Sequence, residues 1–286
     1  MDHFFIITNT VKDPTLSVSR KICRYLEDKG RHCTVHRADS RIGDSCHYTD
    51  PGLIPKETEC IIVLGGDGTV LQAARDILRT GIPLLGINLG TLGYLAEVDK
   101  GQLYQALDQL ISGSFEIEER MMLRGRVYRE DRLIGEDYAL NDIVIGRNGA
   151  LRVIRFMNYV NQYFLNSFDA DGIILSTPTG STGYSLSAGG PIVSPNASLI
   201  IMTPIAPHTL NTRSIILPPT DTVTVEIGEG RKTKMERGLA SFDGNAQIEM
   251  ITGDRIVIEK AETCTRIVKL SNRSFVEVLR QKMNEN

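Results

Sequence analysis

A short apolar run that ends in glycines is the feature that most constrains this chain. Residues 60–69 read CIIVLGGDGT, and TVLQAARDILRT continues from residue 69. The first segment is typical of a fully buried strand, and the second places Val70, Ala74 and Ile77 on one stripe of a helix. Thr69 and Gln72 have the spacing of a capping box, so Thr69 is predicted to begin the helix. A buried strand that leads directly into a helix indicates a parallel sheet covered by helices.

The rest of the first 116 residues repeats this rhythm. Strands are predicted at 4–8 and 33–36 and in the segment IPLLGINLG, and helices at 16–28 and in QLYQALDQLISGS, which ends near Gly113. The pattern predicts an α/β, Rossmann-like N-terminal domain.

From about residue 115 the pattern changes to short alternating segments separated by Gly, Pro, Asn and Asp. Strands are predicted at 124–128, 142–145, 154–159, 214–217, 222–227 and 255–259. These segments predict a mainly β C-terminal domain, residues 117–267. Residues 275–283 return to a helical pattern and are expected to pack back on the first domain, which therefore comprises 1–116 with 268–286.

Composition excludes several classes of protein. The chain has 286 residues and a formal net charge of −3, without the Lys/Arg-rich run of a nucleic-acid-binding protein. No stretch approaches the ~20 apolar residues of a membrane span, and the N-terminus does not resemble a signal peptide. The five cysteines show no metal-ligand spacing. These features favour a cytoplasmic protein that binds small molecules rather than nucleic acid or membrane.

The glycine-rich turn has the position of a phosphate site. Backbone N–H groups at the carboxyl end of a parallel strand can bind phosphate, and glycines allow close approach. The turn lacks the Walker A continuation. An acidic side chain beside a bound phosphate is electrostatically unfavourable unless it holds Mg²⁺ or accepts a proton from an attacking hydroxyl. We therefore expect a kinase-type site in which Asp67 is the working carboxylate, although Asp-Gly is also a common turn dipeptide.

A second segment, DGIILSTPTGSTGYSLSAGGPIVSP, follows at 171–195 with nine hydroxyl side chains and five glycines. It is predicted to be a strand, a loop and the start of a helix. Its donors suit phosphates and riboses, and Tyr184 is available to stack on a base. A flexible linker would not carry the apolar triplet at 173–175. A serine nucleophile would require a G-x-S-x-G elbow, which is absent from this segment.

Together, GGDGT at 65–69 and DGIILSTPTGSTGYSLSAGGPIV at 171–193 resemble the NAD kinase family. ALNDIVI at 139–145 and IMTPIAPHTLNTRSIILP from residue 201 agree with it in order. The resemblance implies transfer of the ATP γ-phosphoryl group, with Mg²⁺ or another divalent metal, to the 2′-hydroxyl of the adenosine ribose of NAD, which gives NADP. It also implies a homodimer or homotetramer.

The resemblance assigns the role of proton acceptor to Asp67. The metal ligands remain unassigned. The residues that it places against the nucleotides are Gly65, Gly66, Gly68, Thr69, Asn141, Asp142, Arg152, Asp169, Asp171, Thr179, Thr182, Gly183, Tyr184, Ser185, Leu186, Ser187, Ala206 and Asn245.

Four of these residues depart from the family pattern. Asp142 stands where Glu is usual, so its shorter side chain is expected to make a looser or water-bridged ribose contact. Gly183 replaces a usual Ala and should loosen the loop. Asp169 and Asn245 also differ from the common residues at their positions.

Two alternatives are a lipid kinase of the diacylglycerol or sphingosine type, which shares the GGDGT turn, and a non-catalytic NAD(P) sensor. The segment at 171–187 favours a dinucleotide over a lipid, and Asp67 argues against a pure binder. His208 is expected to orient its loop, because no second ligand stands at metal-binding spacing. Of Arg152 and Arg155, at least one is expected to be a solvated surface charge.

Overall fold

The computed structural model describes residues 1–38, 47–90, 93–149, 153–209, 212–230, 235–271 and 274–284. The chain divides into two compact units, Met1–Arg120 with Cys264–Asn286, and Met121–Thr263. The first unit is α/β and the second is mainly β, which confirms the predicted fold class. No helix in the described part of the chain is long and apolar enough to cross a membrane.

The first unit is built on parallel strands. Its elements begin with β1 (His3–Thr8), α1 (Ser17–Asp28), β2 (His32–Arg37), β3 (Cys60–Gly65), α2 (Asp67–Asp76), β4 (Leu84–Asn88), β5 (Val98–Asp99) and α3 (Leu103–Ser112). The strand order is β4-β3-β1-β2, every pair is parallel, and β5 pairs with β4.

Helices cover both faces of this sheet. Alternate strand residues such as Phe4, Ile62 and Leu85 share one buried cluster with side chains of α1 and α3. On the opposite face, a Cβ added to Gly86 of β4 would lie 3.1 Å from the Val70 side chain of α2. Burial on both faces explains why β3 reads as a continuous apolar run rather than an alternating one.

The predicted start of α2 was wrong. The helix begins at Asp67, with Gly66 at the position before it, so Thr69 lies in its first turn. The Thr69 hydroxyl accepts a long hydrogen bond of 3.5 Å from the backbone N–H of Gly66. Gln72, the other half of the predicted capping box, instead donates to the carboxylate of Asp76. The helix therefore starts directly at the end of β3, and its first residue is the acid.

The second unit is antiparallel. Its elements are β6 (Glu116–Arg129), which begins in the first unit, β7 (Arg132–Ala139), β8 (Asp142–Arg147), β9 (Ile154–Val160), β10 (Tyr163–Ala170), β11 (Gly172–Ser176), a 3₁₀ turn (Thr179–Thr182), α4 (Tyr184–Ser187), β12 (Ile200–Ile205), β13 (Ile215–Leu217), β14 (Val223–Ile227), β15 (Arg237–Phe242), β16 (Ala246–Ile251) and β17 (Arg255–Lys269). One sheet has the order β13-β12-β11-β8-β15-β16. Strands β10, β9, β14 and β17 are hydrogen-bonded neighbours, in that order, in the other sheet.

The predicted strand at 255–259 is much longer in the structure. Buried residues recur along β17 at Ala261, Thr265 and Ile267, although the strict alternation of the first residues is interrupted after Ile258, so the strand does not stop after five residues. Ile267 pairs with Leu84 of β4, which adds the end of β17 to the parallel sheet of the first unit. The final helix, α5 (Phe275–Asn284), belongs to the same unit and has no buried residue.

Candidate functional site

The glycine turn of the first unit lies at the carboxyl edge of the parallel sheet. Three neighbouring strands, β1, β3 and β4, end at this edge, and the chain leaves β3 through Gly65 and Gly66 into α2. A Cβ on Gly65 would lie 2.2 Å from the Thr69 hydroxyl, so only glycine fits against the first helical turn. Gly68 is exposed and its missing side chain faces open space. The backbone of this turn is therefore accessible at Gly68, whereas Gly65 is buried.

The carboxylate of Asp67 is held by a second loop. Its Oδ2 accepts a hydrogen bond of 2.8 Å from the backbone N–H of Tyr94, and its Oδ1 accepts from Leu95 at 3.1 Å and Ala96 at 3.2 Å. Two carboxylate oxygens offer about four acceptor sites. Three of them are used here, so the carboxylate is fixed in position and keeps one site for a further donor.

The loop that holds Asp67 depends on a glycine that the sequence did not single out. A Cβ on Gly93 would lie 2.0 Å from Oδ1 of Asp67. The absence of a side chain there allows three successive N–H groups to converge on one carboxylate. Asn9, after β1, also contacts this region, because its Nδ2 donates to the Thr69 hydroxyl at 3.3 Å.

In the second unit, two segments that the sequence analysis proposed as nucleotide-binding, 139–145 and 171–195, lie side by side. Strands β8 and β11 pair so that Asp142 lies opposite Ser176. Just beyond this pair, the backbone N–H of Thr177 donates to the carbonyl of Asn141 at 2.9 Å. The Asn141-Asp142 pair and the hydroxyl-rich segment therefore lie side by side at one end of this sheet.

Asp243 fixes the turn that carries this pair, and the sequence did not predict it. Its carboxylate accepts hydrogen bonds from the backbone N–H groups of Leu140 at 2.8 Å, Asn141 at 2.8 Å and Asp142 at 3.1 Å. Asp243 and Gly244, both with positive φ, form the tight turn between β15 and β16. The Asp-Gly pair signals this hairpin, but not the segment that its carboxylate binds.

Burial and the negative charge of Asp243 raise the pKa of Asp142 to about 7. Asp142 is almost fully buried. A Cβ on Gly183 would lie 3.8 Å from its Oδ2 and 3.5 Å from Nδ2 of Asn141, so both side chains face the loop before α4. The Oδ1 atom of Asn141 is buried and has no hydrogen-bond partner in the described part of the chain. A buried acceptor of this kind is where a ligand donor would fit.

The loop from 177 to 187 packs closely on this pair. A Cβ on Gly180 would lie 2.1 Å from the carbonyl oxygen of Asn141, so the two backbones are in direct contact. The hydroxyl of Thr177 accepts from the N–H of Gly180 at 3.1 Å and donates to the carbonyl of Leu140 at 2.6 Å. The strand, loop and helix start predicted for this segment are confirmed by β11, the 3₁₀ turn and α4.

The side chains of the loop point in different directions. Tyr184, Leu186 and Ser187 are exposed, whereas Ser185 is buried and its hydroxyl is 3.2 Å from that of Thr203. Thr179 is buried, and its carbonyl accepts a weak hydrogen bond from the Thr182 hydroxyl at 3.4 Å. Tyr184 is thus available to a ligand, and the Ser185 side chain is used inside the protein.

Two of the predicted acids form ion pairs. Asp169 accepts from Nε and Nη2 of Arg155 at 2.9 and 3.3 Å, and its carbonyl accepts from the backbone N–H of His208. Asp171 lies 3.6 Å from Nε of Arg147 and remains partly exposed. Asp171 is therefore more accessible to a ligand than Asp169.

The remaining predicted positions lie in turns or outside the residues that the structure describes. Ala206 is exposed with φ of 44°, and Asn245 closes the hairpin between β15 and β16 through a hydrogen bond from its N–H to the carbonyl of Phe242. Arg152 lies outside the described residues. His208 is exposed.

Comparison with known families gives two matches that together cover most of the chain. Residues 4–115 match the ATP-NAD kinase N-terminal domain, and residues 140–270 match the ATP-NAD kinase C-terminal domain. An NAD kinase of Lachnospira eligens is 47% identical over 99% of this chain and 100% of its own length. An NAD kinase of Lachnoclostridium phytofermentans is 44% identical over the full length of both.

Solved structures share this fold. The chain resembles yeast NADH kinase, crystallised in complex with NADH, with a TM-score of 0.86 and 26% identity over 100% of this chain and 88% of that one. An NAD kinase from Archaeoglobus fulgidus, crystallised with ATP, shares the fold with a TM-score of 0.75 and 24% identity over 99% of both chains. The glycine turn with its held acid and the loop beside Asn141 and Asp142 thus lie in matched segments, and the chain belongs to the NAD kinase family.

Proposed function

We propose that this enzyme transfers the γ-phosphoryl group of ATP to the 2′-hydroxyl of the adenosine ribose of NAD, with NADP and ADP as products. The observation that carries the proposal is the carboxylate of Asp67, the first residue of α2, which three backbone N–H groups of the loop after β4 hold in position. The match of both family domains and the names of the full-length relatives support the same reaction.

In this reaction the ribose oxygen attacks the γ-phosphorus, and the bond between that phosphorus and the β,γ-bridging oxygen breaks. ADP leaves with the electron pair, and the hydroxyl proton passes to Asp67. A ribose hydroxyl is a poor nucleophile at neutral pH, so a carboxylate within hydrogen-bond reach is the expected means of removing its proton. The one acceptor site that Asp67 keeps is available for this hydroxyl, and the exposed backbone at Gly68 is available to phosphate oxygens.

The second unit is proposed to bind the adenosine part of NAD. Asn141 offers a buried acceptor without a partner, Asp142 lies beside it, and Tyr184 exposes a ring on which a base can stack. Asp171 is proposed as a further polar contact. The proposal gives Asp169 a supporting role, since its carboxylate already pairs with Arg155.

A divalent metal is proposed to enter with the nucleotide. No group of three or more His, Cys, Asp or Glu side chains that could hold a metal occurs within the described ranges. We propose that a Mg²⁺ ion would be held mainly by ATP phosphates and water, as is common for this ion. When bound, the metal would neutralise charge on the phosphate oxygens.

The proposal also includes a cytoplasmic location and an assembly of two or four copies. Both follow from the family resemblance, and the scattered cysteines suit a reducing compartment. Sedimentation velocity of the purified protein tests the assembly, and a single monomeric species would contradict it.

The decisive experiment is an assay of NADP formation from ATP and NAD, with ATP and diacylglycerol as the competing pair. Formation of NADP without phosphorylated lipid is expected. Turnover of the lipid alone would overturn the proposal in favour of a lipid kinase, and binding of NAD without any turnover would favour a sensor.

Tyr184→Ala tests the adenosine site. Loss of stacking is expected to raise KM for NAD more than it lowers kcat. An unchanged KM would remove Tyr184 from the proposed site.

A further inference from the structure

We propose that Lys12 binds the terminal phosphates of ATP above the glycine turn and is a catalytic residue of the phosphoryl transfer. The inference rests on the proposed function and adds a residue that lies 54 positions before Gly66 in the sequence. Lys12 follows β1, which neighbours β3 in the sheet, so the fold carries it to the edge where the glycine turn lies.

The ammonium group of Lys12 lies directly over the turn. A Cβ on Gly66 would be only 2.7 Å from Nζ of Lys12, and a Cβ on Gly90, beyond the end of β4, would be 3.6 Å from it. Lys12 therefore faces the backbone of two glycines. Glycine at 66 allows the ammonium to approach, and any larger residue would displace it.

The segment that carries Lys12 is held at both ends. Asn9 accepts hydrogen bonds from the backbone N–H of Lys12 through its carbonyl at 3.0 Å and through Oδ1 at 3.3 Å, and its Nδ2 donates to the Thr69 hydroxyl of α2. Asp13, which is buried, accepts from the backbone N–H groups of Val18 and Ser19 at the start of α1. Lys12 thus projects from a fixed turn rather than from a free loop.

The charge of Lys12 is not used by the rest of the described chain. Lys12 is exposed and forms no ion pair within 4.0 Å with any acid in the ranges that the structure describes. A cation placed over a glycine turn at a helix start creates a site that favours an anion from two sides. A lysine ammonium is a common phosphate binder in nucleotide sites.

The position of Lys12 over Gly66 indicates which part of the substrate Lys12 contacts. Gly66 immediately precedes Asp67, which is proposed to accept the proton of the attacking hydroxyl. The phosphorus under attack must lie within about 3.5 Å of that hydroxyl oxygen. We therefore identify the anion above Gly66 as the transferred phosphoryl group with its neighbouring phosphate. The alternative anion with the same chemistry is the pyrophosphate of NAD.

The test compares Lys12→Met, Lys12→Arg and Lys21→Met with wild type. Lys21 is an exposed lysine on α1 and serves as the matched control. For each protein, kcat/KM is measured separately for ATP and for NAD, and calorimetric titrations give the affinities for ATP, AMP and NAD.

Lys12→Met is expected to lower kcat by about 100-fold and to weaken ATP binding while the affinities for AMP and NAD stay within about two-fold. Lys12→Arg should recover part of the loss, and Lys21→Met should match wild type. Normal ATP turnover in Lys12→Met would overturn the role, and so would a loss of NAD affinity equal to that of ATP. Absence of NADP formation by wild type would overturn the proposed function instead, so the two failures can be distinguished.

Discussion

The backbone N–H of Tyr94 donates a 2.8 Å hydrogen bond to Oδ2 of Asp67, and the next two residues donate to Oδ1. The acid that is proposed to accept a proton is therefore also a structural link between the start of α2 and the loop after β4. Substitution of Asp67 should affect both roles, and the two effects can be measured separately.

Asp67→Asn is expected to abolish NADP formation and to leave NAD affinity within about ten-fold of wild type. The amide offers one acceptor oxygen and places an NH₂ group against backbone donors, so the variant should also lose about 1–3 kcal/mol of stability. Urea unfolding and NAD titration check the two effects. Asp28→Asn, at the exposed end of α1, is the control and should change neither. Full activity in Asp67→Asn would refute the assigned role.

Gly93→Ala should impair the enzyme although Gly93 itself is assigned no contact with a substrate. The added Cβ would lie 2.0 Å from Oδ1 of Asp67, so the loop or the carboxylate must move and give up hydrogen bonds. A displacement of about 1 Å can cost about 100-fold in kcat. Gly101→Ala, in the exposed turn before α3, is the control, because a Cβ there meets only the exposed side chain of Asp99, at 3.2 Å. Wild-type kcat in Gly93→Ala would show that the fixed position of Asp67 is not required.

Gly180→Ala should raise KM for NAD by at least about ten-fold, which corresponds to ~1.4 kcal/mol. The added Cβ would lie 2.1 Å from the carbonyl oxygen of Asn141, and a backbone atom cannot move aside as a flexible side chain can. Gly146→Ala on β8 is a suitable control, since its Cβ would make an ordinary contact at 3.7 Å with the carbonyl of Asp171. Equal KM values in both variants would contradict the proposed site.

Asp142 should make stability depend on pH. Its pKa is raised to about 7 by burial and by Asp243, against an ordinary value of 3.8. Between these values the folded chain keeps a proton that the unfolded chain has lost, so stability falls as pH rises through the window. Asp142→Asn removes this loss. The variant should gain stability relative to wild type from about pH 4 to about pH 7, by up to a few kcal/mol, and the gain should then level off.

Urea unfolding at several pH values measures the difference in free energy of unfolding between Asp142→Asn and wild type. Groups that titrate equally in both proteins cancel in this difference. A difference that does not change with pH would contradict the raised pKa of Asp142.

Alkylation by iodoacetamide should separate two cysteines of the first unit. Complete burial raises the pKa of the Cys60 thiol to about 12, whereas a hydrogen bond from Cys33, whose Sγ is 2.6 Å away, lowers the pKa of Cys23. Because the thiolate is the reactive form, Cys23 should be modified before Cys60 in the native protein. In urea, where the protein is unfolded, the two cysteines should react at similar rates. Peptide mass spectrometry gives the order, and earlier modification of Cys60 would contradict it.

The parts of the fold that were predictable from sequence are those with local signals. The apolar run at 60–64 and the alternating segments after residue 115 identified the two fold types, because burial on two faces or one face determines the pattern directly. The start of α2 was predicted wrongly, since Thr69 matches a capping residue in sequence but bonds back to Gly66 from within the first turn.

The supporting residues of the site could not be predicted in the same way. In the first unit, Gly93 contacts Asp67 and Lys12 lies over Gly66 because strand order brings distant segments to the same edge of its parallel sheet. In the second unit, Asp243 binds the turn at Asn141 because β15 pairs with β8. The motifs identified the residues proposed to meet substrate. The residues that hold those motifs in place carry no signature of their own.

The pairing of Ile267 with Leu84 affects the order in which the protein can be completed during synthesis. The part of β4 around Leu84 leaves the ribosome roughly 180 residues before its partner strand, which at about 5–20 residues per second is a delay of about 10–40 s. During this time the edge of β4 around Leu84 is unpaired, because β5 pairs only with Ile87 and Asn88. A nascent chain released before β17 would therefore contain the whole GGDGT turn but expose an edge prone to association, and it is a natural substrate for chaperones.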